Sequence, residues 1–295
     1  MIAPEPATAG CSAWHGPDLV TTSRGGARLA AFRALVESLR TCRGFGGRLI
    51  VVDQSPDAAV GDVATRALGA RAVVLPSAPC GLSRARNLAA AAVTAPIVGF
   101  PDDDAVYFPD TLDRLPAAFA DSGVQALCGR LVDPTGHRSA GMVRAPDAAV
   151  AQLSLWRILL SATSSTLFLR HPGWVFAEDL GVGTRFGAGE EIELLGRLVG
   201  LGGRVAYSSA VRIGHPIVTT RMTPPDKIRS YARGYAAAAL RTVRQARSPV
   251  PLAHLALTAG AGVAGIVRHP GDPVLRAAYL ARLHGLVEGL VERPR

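Results

Sequence analysis

The chain has 295 residues, 48% of them hydrophobic and 19% charged, which allows one large domain with an appendage or two modest domains. Its net charge of +9 is uneven: from Arg221 onward twelve Lys and Arg face four Asp and Glu, 12 − 4 = +8, leaving a nearly neutral body and a basic tail. That distribution argues against nucleic acid and for an anionic membrane surface, and four scattered cysteines, Cys11, Cys42, Cys80 and Cys128, suggest neither a zinc site nor a disulfide framework.

Residues 1–17 read as a disordered Pro/Ala/Gly-rich lead with no basic start and no apolar core of signal-peptide length, so a cytoplasmic protein with free thiols is expected. Asp18 to Thr22 is a weak strand, and Leu29 to Leu39 carries apolar residues at helical spacing. Arg48 to Asp53 is a stronger strand ending in an acid and the turn cluster Gln54-Ser55-Pro56-Asp57. Val60 to Leu68 reads as a helix, Ala72 to Pro76 as a strand, and Ser83 to Val93 as an Ala-rich helix with Ser83 as a candidate N-cap. With the apolar run Ala95 to Phe100 as the next strand, this alternation predicts a doubly wound parallel sheet.

That strand delivers Asp102-Asp103-Asp104 to the rim where ligands of open α/β sheets bind. Three adjacent carboxylates repel one another unless a cation sits among them, and a hard divalent ion with oxygen ligands is one remedy; a solvated acidic turn is the other reading. Beyond it, Pro109 opens a helix to Ala120, Val124 to Cys128 is a strand, Asp133 to Ala149 a loop and Ser164 to Arg170 a strand. A glycine-rich loop, residues 181–189, then hands Glu190 and Glu191 to a helix whose apolar face is Leu194, Leu195, Leu198 and Leu201. Glycines immediately before paired acids point to close approach of a ligand. Val205 to Tyr207 is the last strand, and His215 follows in an extended segment.

Asp53-Gln54-Ser55, Gly81-Leu82-Ser83-Arg84-Ala85-Arg86-Asn87, Phe100-Pro101-Asp102-Asp103-Asp104, Gly187-Ala188-Gly189-Glu190-Glu191 and Gly214-His215-Pro216 stand in the order and approximate spacing of bacterial family 2 glycosyltransferases, which the chain resembles from about Leu19 to Tyr235. The resemblance implies an α/β GT-A fold, a mainly parallel sheet flanked by helices with a C-terminal helical extension, and a metal-dependent, inverting transfer from a nucleotide-diphosphate sugar. It implies that Thr22 and Asp53 line the nucleotide pocket. It also implies that Asp102 and Asp104 bind Mg2+ or Mn2+, with His215 approaching the metal or the diphosphate and with Asp102 and Asp103 also serving the donor. Arg84 and Arg86, at a helix start, suit phosphate. The family's acidic pair, usually Glu-Asp, is Glu190-Glu191 here, with Glu191 as base and Glu190 as the alternative. Uridine diphosphate leads by family habit, with guanosine and thymidine forms open. Each residue also has a plainer reading: Asp53 capping the next helix, Arg84 or Arg86 paired to an acid, Asn87 as a cap, Glu193 outside the site, and Trp174 in the core rather than stacked on a sugar.

The expected domains are residues 18–220 for the transferase and 221–295 for a basic, apolar helical region. Pro225 to Arg247 is a basic helix from which Tyr231, Arg233 and Tyr235 are candidates to reach the site. Leu252 to Val267 is apolar but short of the roughly 20 residues a bilayer needs, and Arg276 to Val291 carries Leu280, Leu283, Leu286, Val287 and Leu290 in register. Such a tail suits a peripheral enzyme meeting a saccharide or lipid-linked acceptor at the inner face of the membrane, in polysaccharide or glycolipid assembly; an ordinary helical subdomain is the plainer reading. A nucleotidyltransferase and a non-catalytic sugar-nucleotide binder or scaffold are the alternatives.

Overall fold

A computed structural model describes residues 15–137, 150–171 and 174–292. Most of the expected lead, Cys11 and residues 138–149 of the expected loop lie outside these. The elements in chain order are β1 (Asp18–Ser23), α1 (Leu29–Thr41), β2 (Leu49–Asp53), α2 (Ala59–Leu68), β3 (Ala72–Pro76), α3 (Leu82–Leu88), β4 (Ile97–Gly99), β5 (Val106–Tyr107), α4 (Leu115–Ala118), β6 (Val124–Val132), β7 (Ala151–Gln152), α5 (Leu155–Ser161), β8 (Leu167–Arg170), α6 (Glu190–Gly200), β9 (Arg204–Gly214), α7 (Pro225–Gln245), α8 (Val250–Arg268) and α9 (Pro273–Val291).

Among the described residues nine strands form one sheet in the order β3-β2-β1-β4-β8-β6-β9-β5, with β7 on β9. The β1, β2, β3 and β4 pairings are parallel, as is β6 with β9, while β8 runs antiparallel between β4 and β6. The sheet is therefore mixed and mainly parallel. One apolar cluster packs α1 and α2 on one face, with Phe32, Leu35 and Leu39 against Leu19, Leu49 and Val51. A second packs α3 and α6 on the other, with Ala85, Leu194 and Leu195 among Ile50, Val98 and Leu167.

The weakly apolar β1 is an interior strand between β2 and β4, buried along most of its length. Asp18 at its start is 1% exposed and accepts N–H bonds from Arg48, Thr94 and Ala95 while pairing with the Arg48 guanidinium at 2.8 Å. Burial would raise its pKa, but these donors outweigh it and hold the carboxyl below its ordinary value.

Several local expectations are corrected. The helix from Ser83 stops at Leu88 and a 3-10 turn follows; Gly81 is the N-cap, and Ser83 instead donates to the Leu180 carbonyl at 2.7 Å. No long helix begins at Pro109; only a 3-10 turn and the short α4 form, since Thr111 is tied to Phe108 N–H and the Arg212 carbonyl. Leu201 leaves the apolar face of α6 and is 85% exposed. On α9 the buried residues are Leu275, Ala278, Ala281, Gly285, Leu286 and Gly289, while Leu280, Val287 and Leu290 are exposed. A Cβ on Gly285 would lie 2.2 Å from the Arg229 carbonyl, and one on Gly289 2.2 Å from that of Arg233. Close helix contact therefore selects the small-residue face of α9. The apolar helix α8 has 19 residues, longer than expected, and is by length and composition capable of crossing a membrane.

Candidate active site

All parallel strands end on one rim, and a short register brings two distant segments together there. Val106 of β5 pairs antiparallel with Gly214 of β9, so Asp104, two residues before Val106, meets His215, one residue after Gly214. The aspartates lie in a turn closed by Ala105 N–H to the Asp102 carbonyl at 3.1 Å, not in an extended loop. Asp102 and Asp104 still converge: one ligand atom from each and one from His215 lie within 4.8 Å of one another. His215 Nε2 is 3.2 Å from Asp104 Oδ1 and 3.9 Å from Asp102 Oδ2.

The imidazole explains what this cluster needs. His215 Nδ1 is 2.9 Å from the Pro216 carbonyl, which can only accept, so Nδ1 carries the proton and the neutral ring turns the Nε2 lone pair toward two carboxylates. Asp104 Oδ1 is buried without a hydrogen-bond partner. Acceptors facing one another are reconciled by a proton on Nε2 or by a cation between them. Accordingly His215, which burial alone would lower, has its pKa raised by Asp104 and Asp102. Asp104, which burial alone would raise, is lowered by His215 and Arg28. Burial dominates at Asp102 and raises it despite Arg86 and His215. Two carboxylate oxygens and one imidazole nitrogen whose other N–H is held by a backbone carbonyl form a set that could hold a metal ion.

Arg86, expected at phosphate, is the largest fully buried side chain described. Its guanidinium lies 3.2 Å from Asp102 and 3.1 Å from Glu190, and it faces the Phe100 and Phe176 rings at 5.9 and 5.4 Å. The structure thus places Arg86 as an internal link between two acids. Arg84, on the same helix, is exposed. The start of that helix is covered by the glycine-rich loop, Leu82 N–H donating to the Val182 carbonyl at 2.9 Å. Asn87, half-buried, does not cap the helix: it exchanges bonds of 2.9 Å with the backbone of Phe176 and donates to Glu178 at 3.2 Å.

Glu190 and Glu191 open α6. Glu190 is buried and held by Arg86. Burial, and then the neighbouring Glu190 carboxylate, push Glu191 well above the ordinary glutamate range. Glu193 turns away toward Arg197 and Gln245. The loop glycines before this pair serve the protein rather than a ligand. A Cβ on Gly187 would meet Ser230 Oγ at 2.2 Å, and one on Gly189, whose φ is +92°, would meet Ala238 Cβ at 2.8 Å. These glycines let α7 approach.

At the rim of β2, Asp53 lines a pocket of about 430 Å³ with Ser55, Gly61, Thr65, Val74 and Ser77. Its carboxylate accepts from Ser55 N–H and Oγ–H and, at 2.8 Å, from Gly61 N–H in the first turn of α2. Asp53 therefore caps that helix while facing the pocket. Thr22 donates to the Val52 carbonyl and accepts from Gln54, whose own oxygen accepts from Cys80 N–H.

Arg28 escapes sequence reasoning. It lies just beyond β1, in ion pairs with Asp103 and, at 3.2 Å, with Asp104. Asp103 is therefore held by an arginine rather than open to a donor. Nothing local marks Arg28; it meets the aspartates 75 residues on only through the β1–β4 pairing. Of the α7 candidates, Tyr231 is partly exposed with Lys227 over its ring, and its phenol is pushed up by burial and then by Asp102, Glu190 and Glu191. Arg233 pairs with Glu288 and Tyr235 with His254, away from the site. Trp174 is a core residue, edge-on to Phe100 at 4.8 Å.

Residues 29–160 match the family described as glycosyl transferase family 2. No curated protein matches the chain. Among solved structures it is similar to TarS 1–349 of S. aureus, with 15% identity, a TM-score of 0.56, and 92% of this chain and 90% of that one covered. TarS 1–349 in complex with UDP gives 15% identity, a TM-score of 0.54, and coverage of 92% and 90%. The mannosyltransferase PcManGT of Pyrobaculum calidifontis, in complex with GDP-Man and Mn2+, gives 15% identity, a TM-score of 0.62, and coverage of 93% and 86%. At this identity the likeness carries the fold.

Proposed function

We propose that this enzyme transfers a sugar, with inversion, from a nucleoside-diphosphate donor to the hydroxyl of a saccharide or lipid-linked acceptor, a reading supported by the match of residues 29–160 to glycosyl transferase family 2 and by the GT-A fold. Asp102, Asp104 and His215 would hold Mg2+ or Mn2+, which when bound offsets the charge gathering on the departing diphosphate. The pocket beside Asp53 is the proposed seat of the nucleobase. The nucleotides in two of the similar structures, UDP with TarS and GDP-Man with PcManGT, make uridine and guanosine forms the first to test.

The observation that carries this reading is the single buried guanidinium of Arg86, 3.2 Å from Asp102 and 3.1 Å from Glu190. It joins the acids of the proposed cation site to the acids that open α6. An inverting displacement needs a base on the sugar face opposite the leaving group. Glu190 is committed to Arg86, which leaves Glu191 to take the acceptor proton. Burial and the Glu190 charge raise its pKa well above the ordinary glutamate range, which makes its ionised form a stronger base. Arg28, paired with Asp103 and Asp104, would give up Asp104 once a cation takes that carboxylate, while Asp103, outside the proposed cation site, stays its partner.

The test is nucleoside-diphosphate release with a panel of nucleotide sugars and acceptors, with the anomeric configuration of the product read by NMR. Product of inverted configuration that disappears in Glu191→Gln supports the assignment. Retained configuration, or full transfer by that variant, contradicts it.

A further inference from the structure

The C-terminal helix α8 has a side that the reaction does not use. Its buried positions, among them Leu255, Gly262 and Gly265, face the protein, with Gly262 against Leu283 and Gly265 against Tyr279 of α9. On the outer side, Leu252, Leu257, Val263 and Val267 are exposed, and every other exposed position before Arg268 is alanine or glycine. A surface helix in water normally carries polar residues there. This one carries none, and only 22% of its apolar stretch is buried.

The unpaired charges at its two ends have one sign. Of the four acids from Arg221 onward, three are already used: Glu288 holds Arg229 and Arg233, Asp272 holds Arg221, and Glu292 holds Arg185, while Asp226 lies in the first turn of α7. Arg244 and Arg247 before the apolar face and Arg268 at its end are exposed without a carboxylate partner among the described residues. We propose that α8 is a membrane-docking helix that lies flat in the interface of an anionic leaflet, its outer face in the acyl boundary and these arginines at the headgroups. At about 1.5 Å per residue the helix is nearly long enough to span. Its packed side, however, is held along its length by α5, α7 and α9, and lipid cannot surround it in this fold. A second copy of the chain is the lesser fit, because pairing two such faces brings arginine ends together and α8 itself carries no acid.

The inference is independent of the sugar chemistry. It is tested by co-sedimentation of the full chain with phosphatidylcholine vesicles containing or lacking phosphatidylglycerol, beside sedimentation velocity without lipid. The expected result is binding to the anionic vesicles, weakened by salt and lost in Leu257→Glu/Val263→Glu. In Arg247→Ser/Arg268→Ser binding is weakened roughly fivefold per arginine, as about 1 kcal/mol each implies. Both variants change exposed positions, and an unchanged circular dichroism melt shows that they fold. Absence of binding to either vesicle overturns the proposal, as does a wild-type dimer that Leu257→Glu/Val263→Glu dissolves.

Discussion

Arg86 Nη1 lies 3.1 Å from Glu190 Oε1 with both side chains closed off from solvent. A buried ion pair adds little against an apolar replacement of the same shape, but removing one partner strands the other. Here one arginine serves two acids, so Arg86→Met strands the buried Glu190 and leaves Asp102 with His215 as its remaining basic partner among the described residues.

Arg86→Met is therefore expected to destabilise the fold by about 3–5 kcal/mol, read as a lowered midpoint in urea. Arg86→Lys restores charge but not the fork that reaches two carboxylates, and it should recover only part of the loss. Wild-type midpoints in both variants would contradict the bridging role.

Glu191 gives a prediction in pH. Burial and the Glu190 charge raise its pKa above the ordinary 4.5, and a base works only when ionised. Turnover should therefore rise with pH along a limb displaced above the ordinary glutamate range. Glu191→Gln should cost on the order of 10²–10⁴ in kcat while leaving donor binding intact. The stability sign is the reverse: because the folded state favours the protonated carboxyl, its contribution is present below pH 4.5 and lost as pH rises through the raised value. Glu191→Gln should accordingly melt higher than wild type above that point. A limb in the ordinary glutamate range, or a variant that melts lower there, would count against the assignment.

Arg28 competes with a cation. Its guanidinium pairs with Asp103 and Asp104, so without donor it must give way before Mn2+ settles on Asp104. Arg28→Ala is expected to bind Mn2+ more tightly than wild type in the absence of nucleotide, measured by electron paramagnetic resonance of free Mn2+. Weaker binding in the variant would show that Arg28 supports the site instead.

The glycine before α6 tests whether that loop is shaped by a ligand or by the protein. Gly189 has φ +92°, and a Cβ there would meet Ala238 Cβ at 2.8 Å and the Gly234 carbonyl at 2.9 Å. Gly189→Ala should cost roughly 2–5 kcal/mol from overpacking and left-handed strain together, seen in thermal unfolding. A variant of native stability with weakened donor affinity would restore the ligand explanation.

What was legible in the sequence follows from where the information sits. Asp53 and the Asp102 cluster stand at the ends of strands whose apolar pattern is local, and so their rim could be read directly; His215, Glu190 and Glu191 were joined to it only by the family resemblance. Leu49–Asp53 and Ala72–Pro76 carry unbroken apolar runs and formed as expected. Arg28 and Arg86 could not be placed in this way, because their partners lie 75 and 104 residues away and are set by strand order and helix packing. The leucines of α9 misled for another reason. Periodicity marks an apolar face, but Gly285 and Gly289 permit a closer approach than leucine does, and the smaller face took the contact with α7.

The central claim is that Asp102, Asp104 and His215 hold a cation that in turn holds a nucleoside diphosphate. Its most direct measurement is the melting temperature of the protein with uridine and guanosine diphosphates, with and without Mn2+, in wild type and Asp104→Ala. A ligand that binds only the folded state raises that temperature by mass action. The account predicts a rise with a diphosphate that requires Mn2+ and vanishes in Asp104→Ala. A rise that needs no metal, one that survives in the variant, or none with any diphosphate would contradict it.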